Sequence, residues 1–293
     1  MRSGAEVLES TAVSACALCG AETRRLFVKR RWTFVRCAGC GLVSLSPLPT
    51  PAEIEAHHEA SYRDGRYAAF VAAETVRVAI ARHRLAFLRL LAPEGPWLDV
   101  GCSTAAFIAE LARAGRAAEG LELSEAAVAQ GRARGFTVHR GAAETFTPAH
   151  RYAAVTAFDV LEHLPDPLAF VRQALTWLVP GGLLALTLPD AASPMARLMG
   201  RHWFHYAPPD HVHYFTPATI RGLLERAGAD AIAVRRVWKP LTLDYAAAQL
   251  AETTPQLGRL MTLLAVIAPR AWRAHPWPVP VGEILVTGRS ARS

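Results

Sequence analysis

Four cysteines stand in two Cys-x-x-Cys pairs, Cys16 and Cys19 in CALCG and Cys37 and Cys40 in CAGCG. Thiolates at this spacing can close a tetrahedron around one Zn2+, with the residues between the pairs folded into a short hairpin. Gly20 and Gly41 follow the second cysteine of each pair. A residue that takes positive φ there lets the backbone aim N–H groups at the sulfurs and so offset their charge. The pattern predicts a zinc ribbon over residues 11–46. Its metal would be structural, because a closed four-sulfur site leaves no position open for a reactant. Disulfide pairing, or four unrelated buried thiols, is the competing reading.

A second set of residues has the types and spacing of a cofactor cleft. In WLDVGCSTAAF, the residues Gly101, Cys102, Ser103, Thr104 and Ala105 are all small, so a ligand can approach the backbone. Asp99, just before them, can fix the turn or accept a hydrogen bond from a cationic amine. Glu122, followed by Leu123, comes roughly twenty residues later, the interval at which a carboxylate grips a ribose diol. The turn from Gly141 to Glu144, with Ala142 and Ala143, follows a third apolar run, and Phe158 and Asp159 follow a fourth. Cys102 reads as a small loop residue, since nothing near it in sequence would make its thiol nucleophilic.

Histidines supply the candidate proton acceptors. His163 lies in FDVLEHL, and His205, His211 and His213 lie in RHWFHYAPPDHVHYF beside Tyr206 and Tyr214. Imidazole titrates near neutral pH, which suits it to take a proton from an acceptor. Asp159, Glu162 and His163 would share one face if a helix begins there. Each of these histidines also has a bland reading, as a brace of its turn or of the loop.

The elements that must position these groups alternate. Strand-like runs (WLDV, AAEGLEL, FTVHRG, AAVTAFD, GLLALTLP) are separated by helical patterns such as AAFIAELARAG, SEAAVAQGRARG with Ser124 as its N-cap, and DPLAFVRQALTWLVPGG. Strands alternating with helices imply an α/β fold with a parallel sheet covered on both faces. Ahead of it, a proline-punctuated passage leads into a helical pattern from about Tyr67 to Leu91, carried by Phe70, Val71, Val78, Leu85 and Leu88. After Pro189 come the aromatic loop, the helix TPATIRGLLERAGA, the strand DAIAVRRVWK, a mostly helical apolar stretch and the last strand, EILVTG. The expected division is a ribbon at 11–46, a linker and helical segment at 47–93, and a cofactor domain at 94–293 with an acceptor loop at 190–216 and a helical insertion at 240–278.

Composition bounds the rest. A chain of 293 residues with 52% hydrophobic residues can bury a large core. Its formal charge of +7 comes from scattered arginines without a dense basic run, so nucleic acid is not the expected partner. With no apolar leader and four cysteines set for metal, a reducing cytoplasm is the expected location. The amphipathic stretches ARLMGR and RLMTLLAVIAPRAW suit packing over the sheet better than peripheral contact with lipid.

Together these residues resemble the class I S-adenosylmethionine-dependent methyltransferases, in particular the bacterial branch with an N-terminal zinc ribbon that includes sugar C-methyltransferases. WLDVGCSTAAF stands where that family has its D-x-G-x-G-x-G loop, FDVLEHLPDP and LVPGGLLALTLP match its fourth- and fifth-strand motifs, and HVHYFTPATIRGLLERAGA matches a segment common in the branch. The resemblance implies a Rossmann-like methyltransferase sheet and S-adenosylmethionine held by Asp99, Gly101, Cys102, Ser103, Glu122, Leu123, Ala142, Ala143, Phe158 and Asp159. It implies C- or O-methylation of a small metabolite such as a nucleotide-linked or other sugar; from the residues themselves, the candidate bases are His211 first, then His205 and His213, with His163 as the alternative. This chain departs from the family at Ser103 and Ala105, where glycines are usual, and at Ala142, where an acid often holds the adenine. Ubiquinone-pathway O-methyltransferases carry an acid–acid–His cluster associated with a divalent metal, which Asp159, Glu162 and His163 would match. Two other functions compete: a nicotinamide-dependent oxidoreductase, for which only Gly101 of three glycines would remain, and a non-catalytic zinc-ribbon scaffold with a vestigial pocket. The oligomeric state is not legible.

Overall fold

The computed structural model of the protein describes residues 15–50, 52–54, 56–57, 60, 73–253 and 255–292. Phe70 and Val71 of the expected helical segment, and the first residues of the expected ribbon, lie outside them.

The first named elements among the described residues are three antiparallel strands, β1 (Thr23–Lys29), β2 (Trp32–Cys37) and β3 (Val43–Ser46). Helix α1 (Glu74–Leu88) then leads into the alternating core. The core runs β4 (Trp97–Val100), α2 (Ala106–Arg113), β5 (Ala118–Glu122), α3 (Glu125–Ala133), β6 (Val138–Arg140), β7 (Tyr152–Phe158), α4 (Pro167–Thr176) and β8 (Leu178–Pro189). The VPGG segment expected at the end of α4 belongs instead to β8, where it forms an irregularity between Leu178, paired with Tyr152, and Leu183, paired with Ala154. Next come α5 (Pro194–Met199), β9 (His213–Tyr214), α6 (Pro217–Ala227) and β10 (Asp230–Leu241). Three helices, α7 (Leu243–Thr253), α8 (Pro255–Ile267) and α9 (Arg270–Ala274), separate β10 from β11 (Trp277–Arg289).

The large sheet has the order β10-β11-β8-β7-β4-β5-β6, with β11 antiparallel to both neighbours and β8, β7, β4, β5 and β6 parallel. Successive side chains of a strand face opposite ways, and here they feed two separate cores. Leu98, Val100, Val155, Ala157, Leu184 and Leu186 join Phe170, Ile220 and Leu223 of α4 and α6. Trp97, Ala154, Leu183 and Ala185 join Leu85, Leu88, Phe107 and Leu111 of α1 and α2. That is why the central strands read as unbroken apolar runs. The order of strands reverses at β4, which pairs with β5 on one side and β7 on the other. Ligands of open parallel sheets sit outside the carboxyl ends of the strands at such a switch point.

The N-terminal sheet is not closed by its own strands. Its fourth member is β9, paired through Val43↔Tyr214 and Ser44↔His213, so a piece of the loop after β8 completes it. Phe34, Val43 and Leu45 pack there with Trp203, Tyr206, Val212 and Tyr214. Among the described residues no helix is long and apolar enough to cross a membrane.

Candidate active site

The turn after β4 is built in a conformation that glycine favours. Gly101, Ser103 and Ala105 have φ of 68°, 49° and 61°, so every second residue lies in the left-handed region, where an L side chain costs roughly 1–2 kcal/mol. At Gly101 no side chain fits at all, because a Cβ would come within 2.5 Å of Val160. The backbone of this turn is therefore that of a three-glycine loop, and Ser103 and Ala105 carry its strain.

Glu122 holds the turn closed. One carboxylate oxygen accepts from Ser103 N at 2.8 Å, and the other accepts from Leu123 N and Ser124 N, both at 2.9 Å. Ser124 in turn caps α3 through Ala127 N. Asp99 is 3% exposed and accepts from Thr156 Oγ1 at 2.6 Å. Burial pushes its carboxyl up to about 7, against the Thr156 hydrogen bond that opposes the shift. Cys102 lies over Gly120, where an added Cβ would meet its sulfur. Burial holds its thiol well above the usual range, which fits a packing residue and not a nucleophile. Beyond the turn, Gly141 N is bonded to Glu122 O, which brings Ala142 and the buried Ala143 to the same edge of the sheet.

Sequence reasoning missed several groups here. Arg77 of α1 donates to Thr104 Oγ1, and Arg134 donates to Thr104 O, so two arginines brace the turn from outside. A second cluster lies at the ends of β7 and β8. Asp159 accepts from Arg84 at 3.0 Å and from Lys239 at 3.2 Å, and Glu283 receives the same two cations at 3.3 and 2.7 Å. Despite desolvation, these partners hold the Asp159 carboxyl well below its usual range. The Arg84 guanidinium also lies 4.3 Å above the ring of Phe158. One signal was available: lysine occurs only at positions 29 and 239 in a chain otherwise served by arginine. Lys29 donates to the carbonyls of Tyr206 and Trp203 at 2.8 and 3.4 Å.

The expected face of Asp159, Glu162 and His163 does not form. Residues 161–163 make a single 3-10 turn, and Asp159, with φ of 56°, is turned toward its two cations. Glu162 and His163 face instead the loop after β8. His163 Nδ1 lies 2.8 Å from Asp210 O, and its ring meets that of His211 edge-on at 4.8 Å. The His211 and His205 rings are stacked at 5.5 Å, with His211 Nδ1 3.0 Å from His205 O. His213 is apart from this group. Its Nδ1 is bonded to Ser44 Oγ at 2.8 Å and its Nε2 lies 3.2 Å from Pro165 O, so both ring nitrogens are engaged and it braces the loop; its place among the candidate bases is corrected on that ground. Glu162 is 2% exposed, and burial pushes its carboxyl up to about 8. Burial pushes the His211 imidazole down to about 4, helped by the neighbouring His163, whereas Asp210 and Glu162 raise His163 to about 10 against its own desolvation.

The four ribbon cysteines converge. Cys16 and Cys40 Sγ lie 3.6 Å apart and Cys19 and Cys37 Sγ 3.3 Å apart, none of them in a disulfide. Four sulfurs at about 2.3 Å from a tetrahedral zinc would be spaced by about 3.8 Å, so the arrangement is compatible with that ion. Leu18 N, Gly39 N and Cys40 N point at the sulfurs, and Gly20 and Gly41 have the expected positive φ.

Residues 72–234 match a family model described as a methyltransferase domain. Among curated proteins, the chain is similar to a ubiquinone biosynthesis O-methyltransferase of Thiobacillus denitrificans, 26% identical over 163 residues, covering 50% of this chain and 70% of the relative. Among solved structures, an S-adenosylmethionine-dependent methyltransferase of Thermotoga maritima superposes with a TM-score of 0.55 at 17% identity, over 80% of this chain and 98% of the other. The magnesium protoporphyrin IX methyltransferase of Synechocystis PCC 6803, solved with bound S-adenosylhomocysteine, gives 0.54 at 13% identity, over 83% and 100%. At these identities the structural likeness is one of fold.

Proposed function

This chain belongs to the methyltransferase-domain family and is an S-adenosylmethionine-dependent methyltransferase, and we propose that it methylates an oxygen of a small hydroxylated metabolite. Nucleotide-linked sugars are the first acceptor class to assay. Support for a cofactor at the β4 turn comes from its glycine-type backbone at Gly101, Ser103 and Ala105, from its position at the switch point, and from the buried Glu122 at the next strand end. Bound there, S-adenosylmethionine supplies an electrophilic methyl group on a sulfonium. The carboxylate of Glu122, oriented by three N–H groups, is the acid at the strand end that would meet a ribose hydroxyl. Phe158 closes the cleft on the side of β7, its ring edge against Phe107 at 4.9 Å.

What falls to this chain's own residues is orientation of the acceptor and removal of its proton. The observation that carries the reading is the fixing of His211. A carbonyl oxygen can only accept, so the contact to His205 O requires a hydrogen on Nδ1 and leaves the lone pair of the neutral ring on Nε2. An imidazole pushed down to about 4 stays neutral at pH 7, and as a weak base it serves best toward an acidic hydroxyl. A phenolic acceptor is accordingly the second reading, which the O-methyltransferase name of the relatives also favours. To the four cysteines we assign a structural zinc, supported by the sulfur spacing. The experiment is transfer of a labelled methyl group to a panel of nucleotide-linked sugars and phenols. Labelled product that disappears in His211→Ala supports the reading, and transfer undiminished by that substitution rejects the role of His211.

A further inference from the structure

Glu162, His163 and His211 each offer one donor atom, and those three atoms lie within 4.8 Å of one another. Glu162 is 2% exposed, and among the described residues neither of its carboxylate oxygens has a hydrogen-bond partner. Two carboxylate oxygens buried without a partner leave the side chain dependent on a bound proton or a bound cation. The two imidazoles are prepared alike. His163 presents Nδ1 to the carbonyl of Asp210, and His211 presents Nδ1 to the carbonyl of His205. Bonds of this kind fix the tautomer of metal-ligating histidines and turn the other nitrogen toward the ion.

The donor set differs from the one that the ubiquinone-pathway resemblance implies. There the second acid would be Asp159, but here that side chain is taken by Arg84 and Lys239. A histidine of the loop after β8 stands in its place. Exchange of an oxygen donor for a nitrogen changes which ion fits. Magnesium demands oxygen ligands and keeps its waters, whereas imidazole suits zinc, cobalt and their neighbours.

We infer that Glu162, His163 and His211 form a second metal site, distinct from the ribbon, which takes a borderline transition ion such as Zn2+ in preference to Mg2+. Three protein ligands would leave a coordination position open, and an acceptor oxygen bound there would become more acidic. The inference rests on the reading of this cleft as the acceptor site; with the ion bound, the Nε2 lone pair of His211 goes to the metal, and His211 acts as a ligand in place of a base.

The experiment is titration of the full-length protein, with its ribbon zinc retained, using Co2+ and following visible absorption and heat, with no methyl donor or acceptor present. One Co2+ per chain should bind, Zn2+ should displace it, and millimolar Mg2+ should not. Glu162→Gln and His211→Ala should each weaken binding by about a hundredfold or more, the scale of a lost ligand. Circular dichroism of each variant checks folding, and the near-isosteric Glu162→Gln decides the matter should His211→Ala unfold. Absence of Co2+ binding, displacement by Mg2+, or binding unchanged in folded Glu162→Gln overturns the inference. S-adenosylhomocysteine titrated into the same samples reports the cofactor cleft separately, so failure of the metal site and failure of the methyltransferase site give different results.

Discussion

Ser44 of the ribbon and His213 of the loop after β8 are joined side chain to side chain, Oγ to Nδ1 at 2.8 Å, at the point where β3 and β9 pair. The bond ties the N-terminal strands to the loop after β8. Lys29, reaching from β1 to the carbonyls of Trp203 and Tyr206, makes a second tie. The ribbon therefore holds the wall that carries His205 and His211.

Removal of the zinc proposed for the four cysteines should loosen that wall, because a four-thiolate segment depends on its metal to fold. After chelation, amide exchange should accelerate over residues 203–215 as well as over the ribbon, while β4 and β7 keep their protection. Unchanged protection at 203–215 would show that the loop stands without the ribbon.

Ser103→Gly should stabilise the protein. The left-handed φ of 49° costs serine roughly 1–2 kcal/mol, of which the flexibility of glycine in the unfolded chain takes back about half. A net gain of up to about 1 kcal/mol is expected in denaturant unfolding. A loss would mean that the Ser103 hydroxyl contributes more than its backbone costs.

Asp99 predicts a pH dependence with a definite sign. Its carboxyl is raised in the folded protein to about 7 by burial, so folding favours the protonated acid. The stability from this group is complete below pH 4 and is lost as the pH rises to 7. Asp99→Asn removes that loss. The variant should gain about 3 kcal/mol on wild type between pH 5 and pH 8, at 1.36 kcal/mol per unit. A difference between the two proteins that does not vary with pH would refute the assignment.

His211→Ala and His213→Ala should part company. The first should lower turnover by about a hundredfold or more with cofactor affinity intact. The second removes the bonds to Ser44 and Pro165 and should lower the melting temperature first. Equal and purely thermal effects would make both residues structural.

Much of this was legible in the sequence. The strand–helix alternation, the cap at Ser124 and the cysteine spacing are local signals, and local chemistry decides them. The strain at Ser103 and Ala105 was readable only as a departure from a glycine pattern, because φ is a property of the fold. The exchange of Asp159 for His211 was not legible. It depends on Arg84 and Lys239, which come from α1 and β10 and meet only in three dimensions. The same is true of β9, two residues whose place in the ribbon sheet no periodicity could announce.

Calorimetric titration of S-adenosylhomocysteine into wild type and Glu122→Ala, with NADH as the contrasting ligand, tests the central claim most directly. The account predicts saturable binding of one equivalent to wild type and no binding of NADH. It also predicts at least a tenfold loss, roughly 1.4 kcal/mol, in Glu122→Ala, where the ribose would lose its acceptor and the turn its anchor. Affinity unchanged in that variant, or tighter binding of NADH, would contradict it.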